Sequence, residues 1–241
     1  PTGVAATKSY SDGSFEVVER PIDYTTNRDG RTGDEILCHP MQKFIDISDG
    51  KHGVALMSKG IHEYRTDVID GKAAVELTLL RAVTQTFPIH GDVFIEFDEN
   101  PAQSQGEQTF EYALDFHTGD YLEGDVLKTA YCYVVPPAVY QHAPGMHRGM
   151  LPLSHSFITK SNDAVTLHAV KKEECGDGMI IRLCNPSAER QQETLSLKHR
   201  CSHAWLCHAD EREIAPVGIK DGCIQLDIEP YKIVTLKLLL H

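Results

Sequence analysis

The sequence predicts an all-β protein, with two antiparallel β-sandwich regions in series. Three observations carry that expectation. Strand-like runs recur at short intervals, Asp-Gly turn signals separate many of them, and a single stretch reads as a long helix. Asp-Gly supplies the positive φ angles of tight hairpin turns when strand-like runs flank it. It occurs at Asp12-Gly13, Asp29-Gly30, Asp49-Gly50, Asp70-Gly71, Asp177-Gly178 and Asp221-Gly222.

In chain order, the first strand candidates are residues 15–19, 43–48, 54–58 and 61–68. The polar stretch 23–35 between them reads as an exposed loop. Residues 73–83 read AAVELTLLRAV, with Val75, Leu77 and Leu79 on one face. Residues 107–117 read EQTFEYALDFH, with Phe110, Tyr112, Leu114 and Phe116 on one face and Thr109, Glu111, Ala113 and Asp115 on the other. Such period-two alternation marks a half-buried strand. The helix candidate spans residues 122–133, with Asp120 as its N-cap. Residues 135–152 read VPPAVYQHAPGMHRGMLP and are rich in proline and glycine, which break regular structure. They read as a linker, so one region covers residues 1–150 and the other 151–241. In the second, residues 164–171, 179–184, 193–199, 223–228 and 232–240 are strand candidates. Residues 179–184 are apolar except Arg182, as a central strand is.

A folded chain of 26.8 kDa buries roughly 72% of its unfolded surface, enough for a core without staples. The 41% hydrophobic and 24% charged content excludes disorder and collagen-like repeats. No run of 18 apolar residues occurs, which excludes a helical membrane span. A net charge of -12 disfavours nucleic acid and anionic lipid as partners. Seven irregularly spaced cysteines, no unblocked Asn-x-Ser/Thr and no signal peptide point to free thiols in a reducing cytoplasm. The opening at Pro1 reads as that of a piece of a longer protein.

Candidate chemistry is sparse. Cys201, His203, Cys207 and His208 are zinc-ligand types. On a strand, however, Cys201 and Cys207 stand about 20 Å apart and cannot share one ion. Ser154-His155-Ser156 lacks the Gly-x-Ser-x-Gly elbow of a nucleophile. Paired carboxylates serve glycoside hydrolysis, but with 35 acidic residues pairs arise by chance. Asp46 and Asp49 sit by a turn, and Glu173-Glu174 reads as a solvated strand end. No catalytic residue and no metal ligand is therefore assigned. Two residues stand as substrate-cleft candidates. Arg81 follows an apolar run near a strand end, where its planar fork of donors suits substrate orientation. His39 precedes Pro40 on an extended backbone. Each has an alternative structural reading, a carboxylate partner for Arg81 and a fixed loop end for His39.

Several stretches resemble the C-terminal half of glycoside hydrolase family 38, the α-mannosidases. They are HPMQKFIDISDGKHGVALMSKGIHEYRTD at 39–67, VELTLLRAV at 75–83, GEQTFEYALDFHTGDY at 106–121, GMIIRLCNPS at 178–187 and IEPYKIVTLKL at 228–238. The chain looks most like the bacterial and cytosolic branch. The resemblance implies that residues 1–150 are the later part of a large, galactose-mutarotase-like β-supersandwich and residues 151–241 a smaller terminal β-sandwich. It also implies a parent enzyme that hydrolyses terminal α-mannosides with retention. The parent's zinc, nucleophile and acid/base would lie in an N-terminal barrel whose motifs this chain lacks. No cofactor is expected in this chain. Its expected partners are the rest of the parent and, through it, a mannoside. A homo-oligomer stays open. The alternatives are a free carbohydrate-binding sandwich, with Tyr10, Tyr24, Tyr133 and Tyr140 as its aromatic candidates, and an oligomerisation scaffold.

Overall fold

In the computed structural model the described residues are 1–22, 38–82, 85–86, 95–96, 103–141, 145 and 149–240. The polar stretch 23–35, the Asp29-Gly30 turn and Tyr24 lie outside them. The chain forms two compact units. Unit 1 is Pro1–Ser11 with Glu19–Asp120, and unit 2 is Asp12–Val18 with Tyr121–His241.

The first unit is built on a five-stranded antiparallel sheet. Its strands are β1 (Lys8–Asp12), β2 (Val17–Pro21), β4 (Phe44–Ser48), β5 (His52–Lys59) and β10 (Glu111–Thr118), in the order β10-β5-β4-β1-β2. A three-stranded sheet joins β3 (His39–Pro40), β6 (Glu63–Ile69) and β7 (Lys72–Leu77) in the order β3-β6-β7. Two short strands, β8 (Gln85–Thr86) and β9 (Ile95–Glu96), pair with each other. The odd residues of β4 point to the core: Ile47 joins Val4, Ile22, Val54 and Ala73, while Ile45 joins Met41, Ile61 and Tyr64. Burying each aliphatic side chain there contributes about 1.5–3 kcal/mol. Each described Asp-Gly pair lies at a strand connection. At Asp70-Gly71, between β6 and β7, φ is 52° and 72°, the twin left-handed geometry of a type I′ hairpin turn.

Two corrections to the sequence reading fall here. Within the run 73–83 the strand ends at Leu77, residues 78–82 form neither helix nor strand with Leu79 and Leu80 exposed, and residue 83 lies outside the described residues. In β10 the strand forms but its burial is inverted. Phe110 packs on the core cluster, yet Tyr112, Leu114 and Phe116 are 57%, 52% and 73% exposed. Ala113, Asp115 and His117 on the other face are half-buried. Among the described residues β10 is an edge strand of this sheet.

The second unit is a sandwich of two sheets. One has three strands, β11 (Ile158–Lys160), β14 (Gln191–Leu197) and β17 (Cys223–Ile228), in the order β11-β14-β17. The other has β12 (Thr166–Lys172), β13 (Met179–Cys184), β15 (Cys201–Cys207), β16 (Glu213–Pro216) and β18 (Ile233–Leu240), in the order β12-β13-β18-β15-β16. Both contribute to one core: Leu195, Ile224 and Ile228 from the first meet Ile181, Leu183, Leu236 and Leu238 from the second. β13 is flanked on both sides, by β12 and β18, as its continuous apolar run predicts.

The helix α1 spans Val126–Val134, starting four residues later than the sequence suggests and ending one residue later. Its N-cap is Asp125, with φ 52° and no side-chain cap, because turns occupy residues 121–125. Residues 135–157 form neither helix nor strand among those described. Among the described residues no helix is long and apolar enough to cross a membrane. All seven cysteines are free thiols.

Candidate functional site

Register sets the two candidate residues around one strand start. In the β3–β6 ladder His39 faces Tyr64, and Pro40 faces Glu63. The His39 and Tyr64 rings lie 5.8 Å apart, tilted by 50°. Arg81 Nη2 approaches the Glu63 carboxylate at 3.6 Å. Candidates 42 positions apart in sequence thus gather on the consecutive residues Glu63 and Tyr64.

Their environments differ. Tyr64 is fully buried, and its hydroxyl donates to Ser11 Oγ at 3.1 Å while accepting from Arg20 Nη1 at 3.1 Å. Arg20 Nη1 also donates to Ser11 Oγ at 2.6 Å. This network anchors the ring that His39 packs against. Burial, then the Arg20 charge, lowers the His39 pKa from its usual 6.5. Its ring is therefore an uncharged donor and acceptor at neutral pH. The Arg81 side chain is 75% exposed, so its ion pair contributes little to stability. Its donors are open to a ligand.

A second polar group crosses the five-stranded sheet. Asp46 faces Tyr10 on β1 and Ala55 on β5, while His117 on β10 faces Gly53. His117 Nε2 lies 2.8 Å from Asp46 Oδ1, with side-chain exposures of 5% and 0%. The ring occupies the space above Gly53, where a Cβ would fall 2.1 Å from it. Burial raises the Asp46 pKa, against the opposing pull of His117 and the Ser48 hydroxyl. His117 Nδ1 lies 3.4 Å from the Thr118 carbonyl. The contact with Asp46 and the close fit over Gly53 hold the His117 ring in place. Nearby Tyr10 is pushed up to about 12, first by burial and then by Glu19, to which its hydroxyl donates at 3.2 Å. The sequence reading placed Asp46 beside a turn and passed over His117. A carboxylate inside the apolar run FIDIS was the available signal.

In the second unit the cysteine- and histidine-rich stretch is β15. Cys201 Sγ donates to the His203 carbonyl at 3.2 Å, and the His203 ring stacks on Trp205 at 5.5 Å. Lys237 Nζ sits 5.6 Å from the Trp205 ring centre and bridges Glu173 at 2.8 Å and Glu213 at 2.7 Å. Glu173 is only 12% exposed and Lys237 15%. Glu173 is thus a largely covered partner of Lys237, contrary to its reading as part of a solvated strand end, whereas Glu174 is exposed. Among the described residues no three His, Cys, Asp or Glu side chains come together as metal ligands. Of Ser154-His155-Ser156, His155 packs edge-on against Phe157 and Ser156 Oγ donates to the Ile158 carbonyl at 2.6 Å.

Fold and side chains thus define β-sandwich domains with a polar corner at Glu63 and Tyr64 and a buried His117–Asp46 contact. Two family patterns follow one another along the chain. "Glycosyl hydrolases family 38 C-terminal domain" matches residues 1–90, and "Glycosyl hydrolases family 38 C-terminal beta sandwich domain" matches residues 164–236. The chain belongs to glycosyl hydrolase family 38, as part of its C-terminal β region. It is 30% identical to a putative mannosylglycerate hydrolase of Halalkalibacterium halodurans, over 98% of this chain and 24% of that protein. It is 26% identical to human alpha-mannosidase 2C1, over 100% of this chain and 21% of that one. A crystal structure of an alpha-mannosidase from Enterococcus faecalis V583 aligns with 99% of this chain and 25% of its own, at a TM-score of 0.76 and 24% identity. A family 38 glycosyl hydrolase from Enterococcus faecalis aligns with 99% of this chain and 26% of its own, at a TM-score of 0.74 and 25% identity. The chain spans about a quarter of the length of these relatives.

Proposed function

We propose that this chain is the non-catalytic β scaffold of a cytoplasmic, retaining α-mannosidase-like hydrolase, with His39 and Arg81 at the rim of the substrate cleft. The observation that supports this reading most is the ordered pair of family 38 patterns on a chain a quarter as long as its relatives. Arg81 offers its open guanidinium, and the uncharged His39 ring stands beside Tyr64 at the same corner. The described residues bring no zinc-ligand set together. The zinc of the proposed enzyme is therefore assigned, with its nucleophile and acid/base, to polypeptide outside these residues, and no step through it is derived. The partners in this reading are the rest of the enzyme and a terminal α-mannoside.

The test compares the natural gene product with the 241-residue chain in zinc content and in hydrolysis of an aryl α-mannoside. An active, zinc-loaded gene product beside an inert chain is expected. Hydrolysis by the 241-residue chain alone would overturn the scaffold reading. In the active product, His39→Ala and Arg81→Ala should each raise KM several-fold. An unchanged KM in both would remove them from the rim.

A further inference from the structure

The second unit carries a cavity of about 240 Å³ between α1 and the stretch that runs from β11 into β12. Leu127 and Tyr131, one helical turn apart on α1, line it together with Val165 and Leu167. Val165 belongs to the core of this unit and Leu127 is buried, so the floor is apolar and closed. Tyr131 is half exposed. The rim is charged. Lys128 Nζ lies 2.8 Å from Asp163 Oδ2, and Lys160 Nζ lies 3.3 Å from Asp163 Oδ1. None of these side chains enters the function proposed above.

Volume and charge select the occupant. A dry apolar cavity of roughly 150 Å³ holds one benzene ring. The difference, about 90 Å³, takes about three more atoms at the roughly 30 Å³ that a water molecule occupies. Water against Leu127, Val165 and Leu167 finds no hydrogen-bond partner in those side chains, so an apolar group displaces it favourably. Tyr131 offers an aromatic ring its edge or an offset face. Among the described residues lining the cavity, two ammonium groups share one carboxylate, which leaves a positive charge at the rim. The hydrogen bond to Asp163, then the Asp163 and Asp125 charges, raise the Lys128 pKa and keep it charged. Asp125 offsets part of that charge but lies outside the lining. Lys128 and Asp163 are each about half exposed, so their ion pair contributes little to the fold and can be shared with a second carboxylate. We infer that this cavity binds a small monocyclic aromatic carboxylate, with its ring against Tyr131 and the apolar floor and its charge on Lys128 and Lys160.

Cys132 is exposed and lines the same cavity, so its alkylation reports occupancy. The natural gene product is treated with iodoacetamide, with and without phenylacetate, and each cysteine is read by mass spectrometry. A ligand of about ten non-hydrogen atoms binds in the millimolar range, so about 20 mM phenylacetate should slow Cys132 at least threefold. Cys38 and Cys175 should keep their rates. Acetate, which lacks the ring, and phenylacetamide, which lacks the charge, should each protect less than half as well. Leu167→Trp fills the cavity and should leave phenylacetate without effect. Lys128→Ala, at an exposed rim position, should at least halve the protection by phenylacetate and leave that by phenylacetamide unchanged. No protection by phenylacetate would overturn the inference, as would equal protection by acetate or phenylacetamide, or equal slowing of all three cysteines. A Cys132 already unreactive in the ligand-free gene product would also overturn it, because the protein itself then fills the cavity. Mannoside hydrolysis plays no part in the readout, so failure here leaves the proposed function standing.

Discussion

Gly53 is the position where one methyl group should do the most damage. Its backbone is not in the left-handed region, so alanine is allowed there by its own torsions. The obstacle is the His117 ring, whose Cε1 and Nε2 would lie 2.1 and 2.3 Å from the new Cβ. The ring must leave, and its 2.8 Å contact with Asp46 goes with it. Asp46 is fully buried, so its carboxyl is left without that partner. Breaking a buried pair costs about 3–5 kcal/mol, and relief of glycine's entropy in a strand returns about 0.5–1 kcal/mol. Gly53→Ala should therefore cost about 2–4 kcal/mol, read as a lowered urea midpoint at unchanged slope. The mechanism makes a sharper demand. In His117→Ala the ring is gone, so adding Gly53→Ala should cost almost nothing further. A double-mutant cycle should then show a coupling of about 2 kcal/mol or more. Additive costs, or a cost below about 0.5 kcal/mol for Gly53→Ala alone, would refute the argument.

Three further outcomes follow from named side chains. Burial raises the Asp46 pKa above its ordinary 3.8, so the folded chain holds that proton more tightly than the unfolded one. Its stabilisation is complete below the ordinary value and is lost as pH rises through the folded value. The stability of Asp46→Asn relative to the parent chain should thus improve from about pH 3 to pH 7, and a flat or falling difference would contradict this. Asn185 is buried and donates to the carbonyls of Glu189, Ile228 and Glu229 at 2.7, 3.1 and 3.1 Å. Asn185→Asp sets an acceptor against those three acceptors and should cost about 3 kcal/mol or more in denaturant unfolding. Burial pushes the Cys184 thiol up to about 11, whereas Cys38, Cys132 and Cys175 are exposed. With an aromatic disulfide reagent at mildly alkaline pH, those three should react at once and Cys184 only on unfolding. Labelling of Cys184 in the fast phase would sink that expectation.

What could be read in the sequence was local. The Asp-Gly turns at residues 70–71 and 221–222 sit in left-handed geometry because that dipeptide tolerates it, whatever surrounds it. β13 was legible because a strand covered on both faces has no polar period to hide. The inverted burial of β10 was not, since alternation tells which residues share a face and not which face is covered. The start of α1 was missed because Asp125 ends a series of turns without capping through its side chain. The corner of His39, Glu63, Tyr64 and Arg81 depends on β3 pairing with β6, and the Asp46–His117 contact joins residues 71 apart. Pairings at that range are set by register, which no short motif records.

The composition of the second unit has a consequence for the order in which it can be assembled. Residues 12–18 belong to it, with Val17 buried and its amide donating to the Pro186 carbonyl at 2.8 Å. Cys184 Sγ donates to the carbonyl of Phe15, 169 positions away. During synthesis these seven residues leave the ribosome well before their partners, which follow some 170 residues later. At roughly 5–20 residues per second the delay is about 10–30 s. For that interval the segment must be kept from other apolar surfaces, and the loop it finally closes is among the longest in the chain. A gene truncated to begin at residue 121 would express most of this unit and omit the segment that carries Val17 and the Phe15 carbonyl. The second unit is a single body in space and two separate words in the gene.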